Sequence, residues 1–170
     1  MKELMPSLAR GGVLLNPDNP AMPSIVHAMT QTAKAIDVTL QPIDVRRLDE
    51  LEPAFERAGS QLDAVAVADE GLFVANRARI AELAIKNRLP SLGFREYCEA
   101  GGLAAYGVNF PHIWRGAGAI VDKILKGRRP EDLPIEQATR FELIVNLKTA
   151  KTLGFNVPAA MSARADQVIE

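Results

Sequence analysis

Short apolar runs alternate along the chain with longer stretches in which apolar residues recur every three or four positions. The runs predict five β-strands, at Gly12–Leu15, Val38–Val45, Asp63–Ala68, Pro90–Gly93 and Leu103–Tyr106. The stretches with helical spacing predict helices at 20–36, 48–62, 73–87, 95–100 and 111–126. This alternation is typical of βαβ units, so the pattern predicts an α/β fold with a doubly wound parallel sheet and helices on both faces.

The last third of the chain has a different pattern. Residues 128–136 are rich in proline and charge, which is typical of a linker. Apolar residues then alternate over Arg140–Leu147 and predict a sixth strand, followed by short helices at Lys148–Leu153 and Ala159–Ile169. Pro42, within the second predicted strand, favours an edge position for that strand.

Composition excludes several classes of protein. The chain has 170 residues, 20 Lys and Arg against 21 Asp and Glu, and a formal net charge of -1. This balance argues against a protein that coats nucleic acid, which usually needs a basic surface. No run of apolar residues is long enough for a membrane span, and the first ten residues lack the apolar run of a secretory signal. The single cysteine, Cys98, excludes an internal disulfide.

The predicted sheet places a ligand site at one edge. Ligands of such sheets bind beyond the carboxyl ends of the strands, where the strand order reverses. In the order 2-1-3-4-5 the reversal lies between the first and third strands, so the loops Asn16–Asn19 and Asp69–Phe73 flank it. Both loops lead into helix N-termini, which favour an anionic ligand group such as a carboxylate. The loops after the fourth and fifth strands add Phe94, Arg95, Glu96 and Tyr106.

Each of these candidate residues also has a structural interpretation. The two asparagines can be turn or capping residues, and Asp69 can cap the helix after it. The two phenylalanines can belong to the core. Arg95 and Glu96 can form a solvated ion pair, and Tyr106 can place its hydroxyl at the surface.

We find no sequence signature of catalysis. The phosphate-binding patterns GxGxxG and GxxxxGK[ST] and the nucleophile pattern GxSxG are absent. His27 and His112 lack metal-ligand spacing to each other and to Cys98, and Cys98 is interpreted as a small buried residue. The sequence therefore favours binding over chemistry and predicts no cofactor, no metal and no enzymatic activity.

Four strings of the sequence carry a family resemblance that covers nearly the whole chain. They are Val13–Pro20, Gly93–Gly107, Val121–Gly127 and Phe141–Lys151. Together they resemble the ABC-transporter substrate-binding proteins of the tryptophan/tyrosine type.

The resemblance implies a type I periplasmic-binding-protein architecture, in which two α/β lobes hold an amino acid or a related small organic acid in a cleft and the closed form docks on an ABC permease. It implies that Asn16–Asn19, Asp69–Phe73 and Phe94–Glu96 face the cleft, and that the protein is periplasmic or exported and associated with the membrane through the transporter. Complete members are about twice this length. We therefore expect residues 1–10 to end a preceding lobe, residues 11–136 to form one lobe and residues 137–170 to return across the hinge. The early strands of the first lobe and the export signal would lie outside this chain, and self-association could cover the exposed cleft surfaces.

Two other functions use the same predicted cleft. A flavodoxin-like small-molecule enzyme or nucleotide binder would need a catalytic group or a phosphate loop. A ligand-sensing regulatory domain would keep the lobe without transport.

Overall fold

A computed structural model describes residues 1–135 and 140–170 of the protein. The strands are β1 (Arg10–Leu15), β2 (Thr39–Asp44), β3 (Ala64–Val67), β4 (Ser91–Gly93), β5 (Ala104–Val108), β6 (Phe141–Asn146) and β7 (Gln167–Ile169). They form one sheet in the order β2-β1-β3-β4-β5-β6-β7. Pairing is parallel from β2 through β5 and between β6 and β7. The predicted α/β class, the order of the first five strands and the edge position of β2 are therefore confirmed.

Eight helices connect or flank the strands in the part of the chain that the structure describes. They are α1 (Met22–Lys34), α2 (Leu51–Gln61), α3 (Gly71–Ala75), α4 (Arg77–Lys86), α5 (Arg95–Glu99), α6 (Phe110–Leu125), α7 (Leu147–Leu153) and α8 (Ala159–Arg164). Glu136, at the end of the predicted linker, and residues 137–139 of the predicted return segment lie outside the described residues.

The two faces of the sheet carry different side chains because successive residues of a strand point to opposite sides. Leu14, Val65 and Val67 pack with α2, α4 and α5 in the largest apolar cluster, in which Phe55 and Tyr97 are fully buried. On the other face, the side chains of β1 and β3 pack against α1 in smaller clusters. This burial on both sides is expected of a parallel sheet and explains the continuous apolar runs of the sequence.

The single helix predicted at 73–87 is wrong, since two helices lie there. They meet at Asn76, whose Nδ2 donates to the carbonyl oxygen of Leu72 at 2.8 Å. A side-chain amide that binds a nearby backbone carbonyl competes with the helical pattern, and it ends α3 here.

The helix predicted at 159–169 is also wrong in its second half. Helix α8 ends at Arg164, and Gln167–Ile169 form the strand β7. Asp166 sets this change because its backbone N donates to the carbonyl oxygen of Leu143 at 2.8 Å, and its Oδ2 accepts from the backbone N of Leu143 at 2.9 Å. These long-range contacts with β6 override the local helical spacing.

The chain divides into two compact units. One comprises Met1–Tyr106 and Leu143–Glu170, and the other comprises Gly107–Glu142. In the second unit, α6 begins at an N-cap in which Asn109 Oδ1 accepts from the backbone N of His112 at 2.9 Å. Apolar residues recur at helical spacing along α6, but none of its side chains is buried. The division into residues 1–10, 11–136 and 137–170 stays a prediction.

Candidate ligand-binding site

Three loops meet at the edge of the sheet where β1, β3 and β4 end. In the parallel ladder, Leu14 is opposite Val67 and Ala66 is opposite Leu92, so the loops that follow these strands leave the sheet on the same side. We call the segments 16–21, 68–70 and 94–96 together the rim. The two loops predicted at the reversal of the strand order therefore lie together. They contain polar side chains that lie outside the apolar core.

The first loop of the rim is shaped by its two asparagines. Asn16 Oδ1 accepts a hydrogen bond from the backbone N of Asp18 at 3.1 Å, and Asn19 Oδ1 accepts from the backbone N of Ala21 at 3.0 Å. These contacts are turns of the kind that asparagine favours, so the turn interpretation of these residues is correct. Helix α1 begins only at Met22, without a side-chain cap, and the prediction that Asn19 caps it is wrong.

A hydrogen bond joins the first loop to the second. Asn19 Nδ2 donates to Glu70 Oε2 over 3.4 Å, and both side chains are half-buried. Glu70 is a rim residue that our sequence analysis did not single out, although it follows Asp69 directly in the same predicted loop. The bond connects the loop after β1 with the loop after β3.

Asp69 has an exposed carboxylate with no hydrogen-bond partner among the described residues, so it does not cap α3, in contrast to the structural alternative. The pKa of this carboxyl is raised above its ordinary value, first because partial burial penalises the charged form and then because of the negative charge of Glu96. Two carboxylates at one site favour a ligand group that carries positive charge and donates hydrogen bonds.

The two predicted phenylalanines belong to the core. Phe73 has no exposed surface and packs in the largest apolar cluster, which favours its interpretation as a core residue over a ligand contact. Phe94 is 8% exposed and packs in the same cluster, with its ring centroid 5.9 Å from that of Tyr97.

Hydrogen bonds to Glu99 and Gln167 hold the side chain of Arg95. Its Nη1 donates to Glu99 Oε1 at 3.2 Å and to Gln167 Oε1 at 2.7 Å, which ties α5 to β7. Gln167 was not predicted near this site, because the sequence pattern places it in a helix. Tyr106, the other candidate near this edge, is exposed at 62% and has an interaction of its own within the chain.

The chemistry around the rim is that of binding. Cys98 has no exposed surface, and burial raises the pKa of its thiol to about 12, so it is the small buried residue that we predicted. Among the described residues, no group of three or more His, Cys, Asp and Glu side chains is placed to hold a metal ion. No helix in the described ranges is long and apolar enough to cross a membrane.

The fold and the rim define a class: an α/β lobe that presents polar side chains at the carboxyl edge of a mostly parallel sheet. Comparison with known proteins identifies the family. The family of ABC transporter substrate binding proteins matches residues 1–169, and the chain belongs to this family.

Individual relatives are similar over almost the whole chain. A tyrosine-binding protein of Clostridioides difficile is 23% identical over 154 residues, which is 90% of this chain and 45% of that protein. A solved conserved domain protein from Vibrio cholerae has a TM-score of 0.88 and 23% identity and covers 98% of this chain. A Streptococcus pneumoniae ABC domain solved with L-Trp has a TM-score of 0.88 and 22% identity and covers 99% of this chain.

These relatives are longer than the chain described here. The alignments span 57% of each of the two solved chains and 45% of the tyrosine-binding protein. The chain thus spans about half the length of the relatives that it matches, and its fold is that of the matching part.

Proposed function

We propose that this chain is one lobe of a solute-binding protein that delivers a free amino acid to an ABC importer. Three observations support the proposal: membership of the family, the rim at the carboxyl edge of the sheet, and relatives described as binding L-Trp or tyrosine. The observation on which it most depends is the position of Asp69, whose carboxylate lies at the rim without a partner and close to the charge of Glu96.

The lobe binds its ligand through polar contacts. The ammonium group of an amino acid donates hydrogen bonds to the carboxylate of Asp69. The side-chain amides of Asn16 and Asn19 form hydrogen bonds with the other polar atoms of the amino acid. A second lobe supplies the other half of the contacts and closes the cleft, and ligand that contacts both lobes selects the closed form. The closed form then docks on a permease at the outer face of the membrane, and no bond of the ligand is changed.

A single lobe makes only part of these contacts, so residues 1–170 should bind with low affinity, with a Kd of about 1 mM. Titration of the ¹⁵N-labelled chain with L-Trp or L-Tyr, followed by ¹⁵N–¹H correlation spectra, is sensitive in this range. We expect saturable shifts in the amide signals of residues 16, 18, 19, 21, 69 and 70, since Pro17 and Pro20 have no amide proton. In Asp69→Asn the shifts should weaken, whereas Glu56→Gln, a change of an exposed carboxylate on α2, should leave them unchanged.

The alternative of a flavodoxin-like enzyme or nucleotide binder predicts a different titration. Flavin mononucleotide or AMP would then shift the rim signals, and the amino acids would not. Amide shifts confined to residues outside the rim, or the same response in Asp69→Asn as in the unmodified chain, would contradict the proposed site.

A further inference from the structure

An arginine lies beside the rim, at the end of the edge strand of the sheet. Arg46 follows β2 after Val45, and the backbone N of Val45 donates to the carbonyl oxygen of Leu15 at 2.9 Å. The strands β2 and β3 pair with β1 on its two sides and run parallel to it. The segments that carry Arg46 and Asp69 therefore leave the sheet on either side of the first rim loop.

The backbone of Arg46 is held by a carboxylate. Glu50 is the last residue of a single 3₁₀ turn, Leu48–Glu50, and its Oε2 accepts from the backbone N of Arg46 at 2.7 Å. A glutamate that reaches back in this way satisfies a backbone donor at the start of a helical segment. Arg46 therefore has a defined position next to the rim.

The side chain of Arg46 is held at one of its three nitrogens. Its Nε donates to Asp18 Oδ1 at 3.2 Å, and Asp18 belongs to the first rim loop. Among the described residues, neither Nη1 nor Nη2 of Arg46 has a hydrogen-bond or ion-pair partner. The guanidinium thus lies against the rim, with both terminal nitrogens available to a ligand.

The ion pair between Arg46 and Asp18 adds little to the stability of the fold. Their side chains are 49% and 67% exposed, and water screens pairs with this exposure. The next residue, Arg47, forms a similar exposed pair with Asp49 over 3.1 Å, but both of these residues belong to the segment after β2. Of the two pairs, the one formed by Arg46 joins that segment to the rim.

The spacing of the strands matches the two charged groups of an amino acid. Neighbouring strands are about 4.8 Å apart, so β2 and β3 are about 10 Å apart across β1. A ligand that contacts both Asp69 and Arg46 has to bridge a gap of this order. Two charge-assisted hydrogen bonds of about 2.8 Å, together with the short separation of the ammonium and carboxylate groups in an α-amino acid, span a similar distance.

We propose that Arg46 binds the carboxylate of the ligand, alongside the amides of the first rim loop, and so selects amino acids over amines that lack a carboxylate. The inference rests on the proposed function, in which Asp69 binds the ammonium group. A guanidinium offers two parallel N–H donors to the two oxygens of a carboxylate, whereas a lysine ammonium is a single point of charge. Asp18 is a positioning residue, because it holds Nε and leaves Nη1 and Nη2 for the ligand.

Two ligands that differ in the carboxylate test the proposal. L-Trp and tryptamine share the indole and the ammonium group, and tryptamine lacks the carboxylate. In the ¹⁵N–¹H titration of residues 1–170, Arg46→Gln should raise the Kd for L-Trp about fivefold and leave the Kd for tryptamine unchanged. Arg47→Gln removes the neighbouring exposed cation and should leave both Kd values unchanged, which separates a direct contact from the general effect of one positive charge.

Two further variants examine the geometry. Arg46→Lys keeps the charge without the paired donors, so it should weaken the binding of L-Trp about threefold. Asp18→Asn should weaken it about twofold, again with no change for tryptamine. Because Arg46 and Asp18 are exposed, each variant should keep the Tm within about 2 °C of the unmodified chain.

The outcomes separate this inference from the proposed function. If L-Trp binds Arg46→Gln as tightly as the unmodified chain, the inference is overturned and the proposed function stands. An equal loss of affinity for L-Trp and tryptamine also overturns the inference, because the variant then alters the rim rather than a contact with the carboxylate. If neither ligand binds the unmodified chain, the proposed function itself is overturned, and the inference with it.

Discussion

Asn19 and Glu70 lie 51 positions apart in the sequence, and a hydrogen bond from Nδ2 to Oε2 joins them over 3.4 Å. The bond connects the loop after β1 to the loop after β3, on the two strands between which the strand order reverses. In the proposed site a ligand would contact both loops, so a bond that already joins them would leave less ordering to occur on binding.

Glu70→Ala tests this connection. We expect the free energy of unfolding to change by less than about 0.5 kcal/mol, since the bond is long and lies near the surface. The amide signals of residues 16, 18, 19 and 21 should broaden or shift, and the rim should bind L-Trp several-fold more weakly in the same titration. Glu82→Ala, an exposed change on α4, is the control and should leave the titration unchanged. An unaltered affinity in Glu70→Ala would show that the bond has no part in binding.

Asp69→Asn should make the protein more stable and a weaker binder. The pKa of Asp69 is raised in the folded state by partial burial and by the charge of Glu96. The folded state therefore holds this proton more tightly than the unfolded state, and stability falls as the pH rises through the ordinary pKa to the raised one. Asparagine removes that penalty at neutral pH.

Because Asp69 is exposed, the gain is small, about 0.5 kcal/mol, or a rise in Tm of about 1–2 °C at pH 7. The difference in Tm between Asp69→Asn and the unmodified protein should become smaller as the pH falls below the pKa of the Asp69 carboxyl. Thermal melts of both proteins at several pH values measure it. A lower Tm of the variant at pH 7 would mean that the fold stabilises the charged carboxylate.

The pKa of Asp63 is shifted in the opposite direction from that of Asp69. Its Oδ2 accepts from the backbone N of Arg10 at 2.8 Å and of Ala9 at 3.0 Å, and its Oδ1 accepts from the Arg10 guanidinium at 2.9 Å. The backbone hydrogen bond from Arg10 is the main cause of its lowered pKa, followed by the guanidinium. The stabilisation is present above the ordinary pKa and is lost as the pH falls through the lowered one.

Asp63→Ala should cost about 1 kcal/mol at pH 7, because two backbone donors at the start of β1 lose their charged acceptor. A fall in Tm of about 2–4 °C is expected, and it should disappear in acid. The matched control is Arg10→Ala, which removes only an exposed ion pair and should cost less than about 0.5 kcal/mol. Equal costs of the two changes would show that the ion pair, rather than the backbone contacts, carries the stabilisation.

The thiol of Cys98 should be unreactive in the folded protein. The side chain has no exposed surface, and burial raises the pKa of its thiol to about 12. We expect no reaction with a thiol reagent at pH 8 under native conditions and complete reaction in denaturant. Ser60→Cys, at an exposed position of α2, should react within minutes in the Cys98→Ala background. Rapid native labelling of Cys98 would mean that α5 opens without global unfolding.

The sequence predicted the fold because its signals are local and repeated. Continuous apolar runs such as Ala64–Ala68 indicate strands buried on both faces, and Pro42 indicates an edge strand. These features, with the four strings that carry the family resemblance, were enough for the class, the order of the first five strands and the family. The position of the rim follows from the strand order, since parallel strands end on the same edge.

Other features depended on contacts between distant residues, and the tertiary structure alone decided them. Asp166 binds the backbone of β6 and turns a predicted helix into β7, while Phe73 lies in the core because helix α3 turns it inward. The partner of Asn19 is likewise set by packing. Periodicity reports which residues are apolar, but which surfaces meet depends on the arrangement of the whole sheet and its helices.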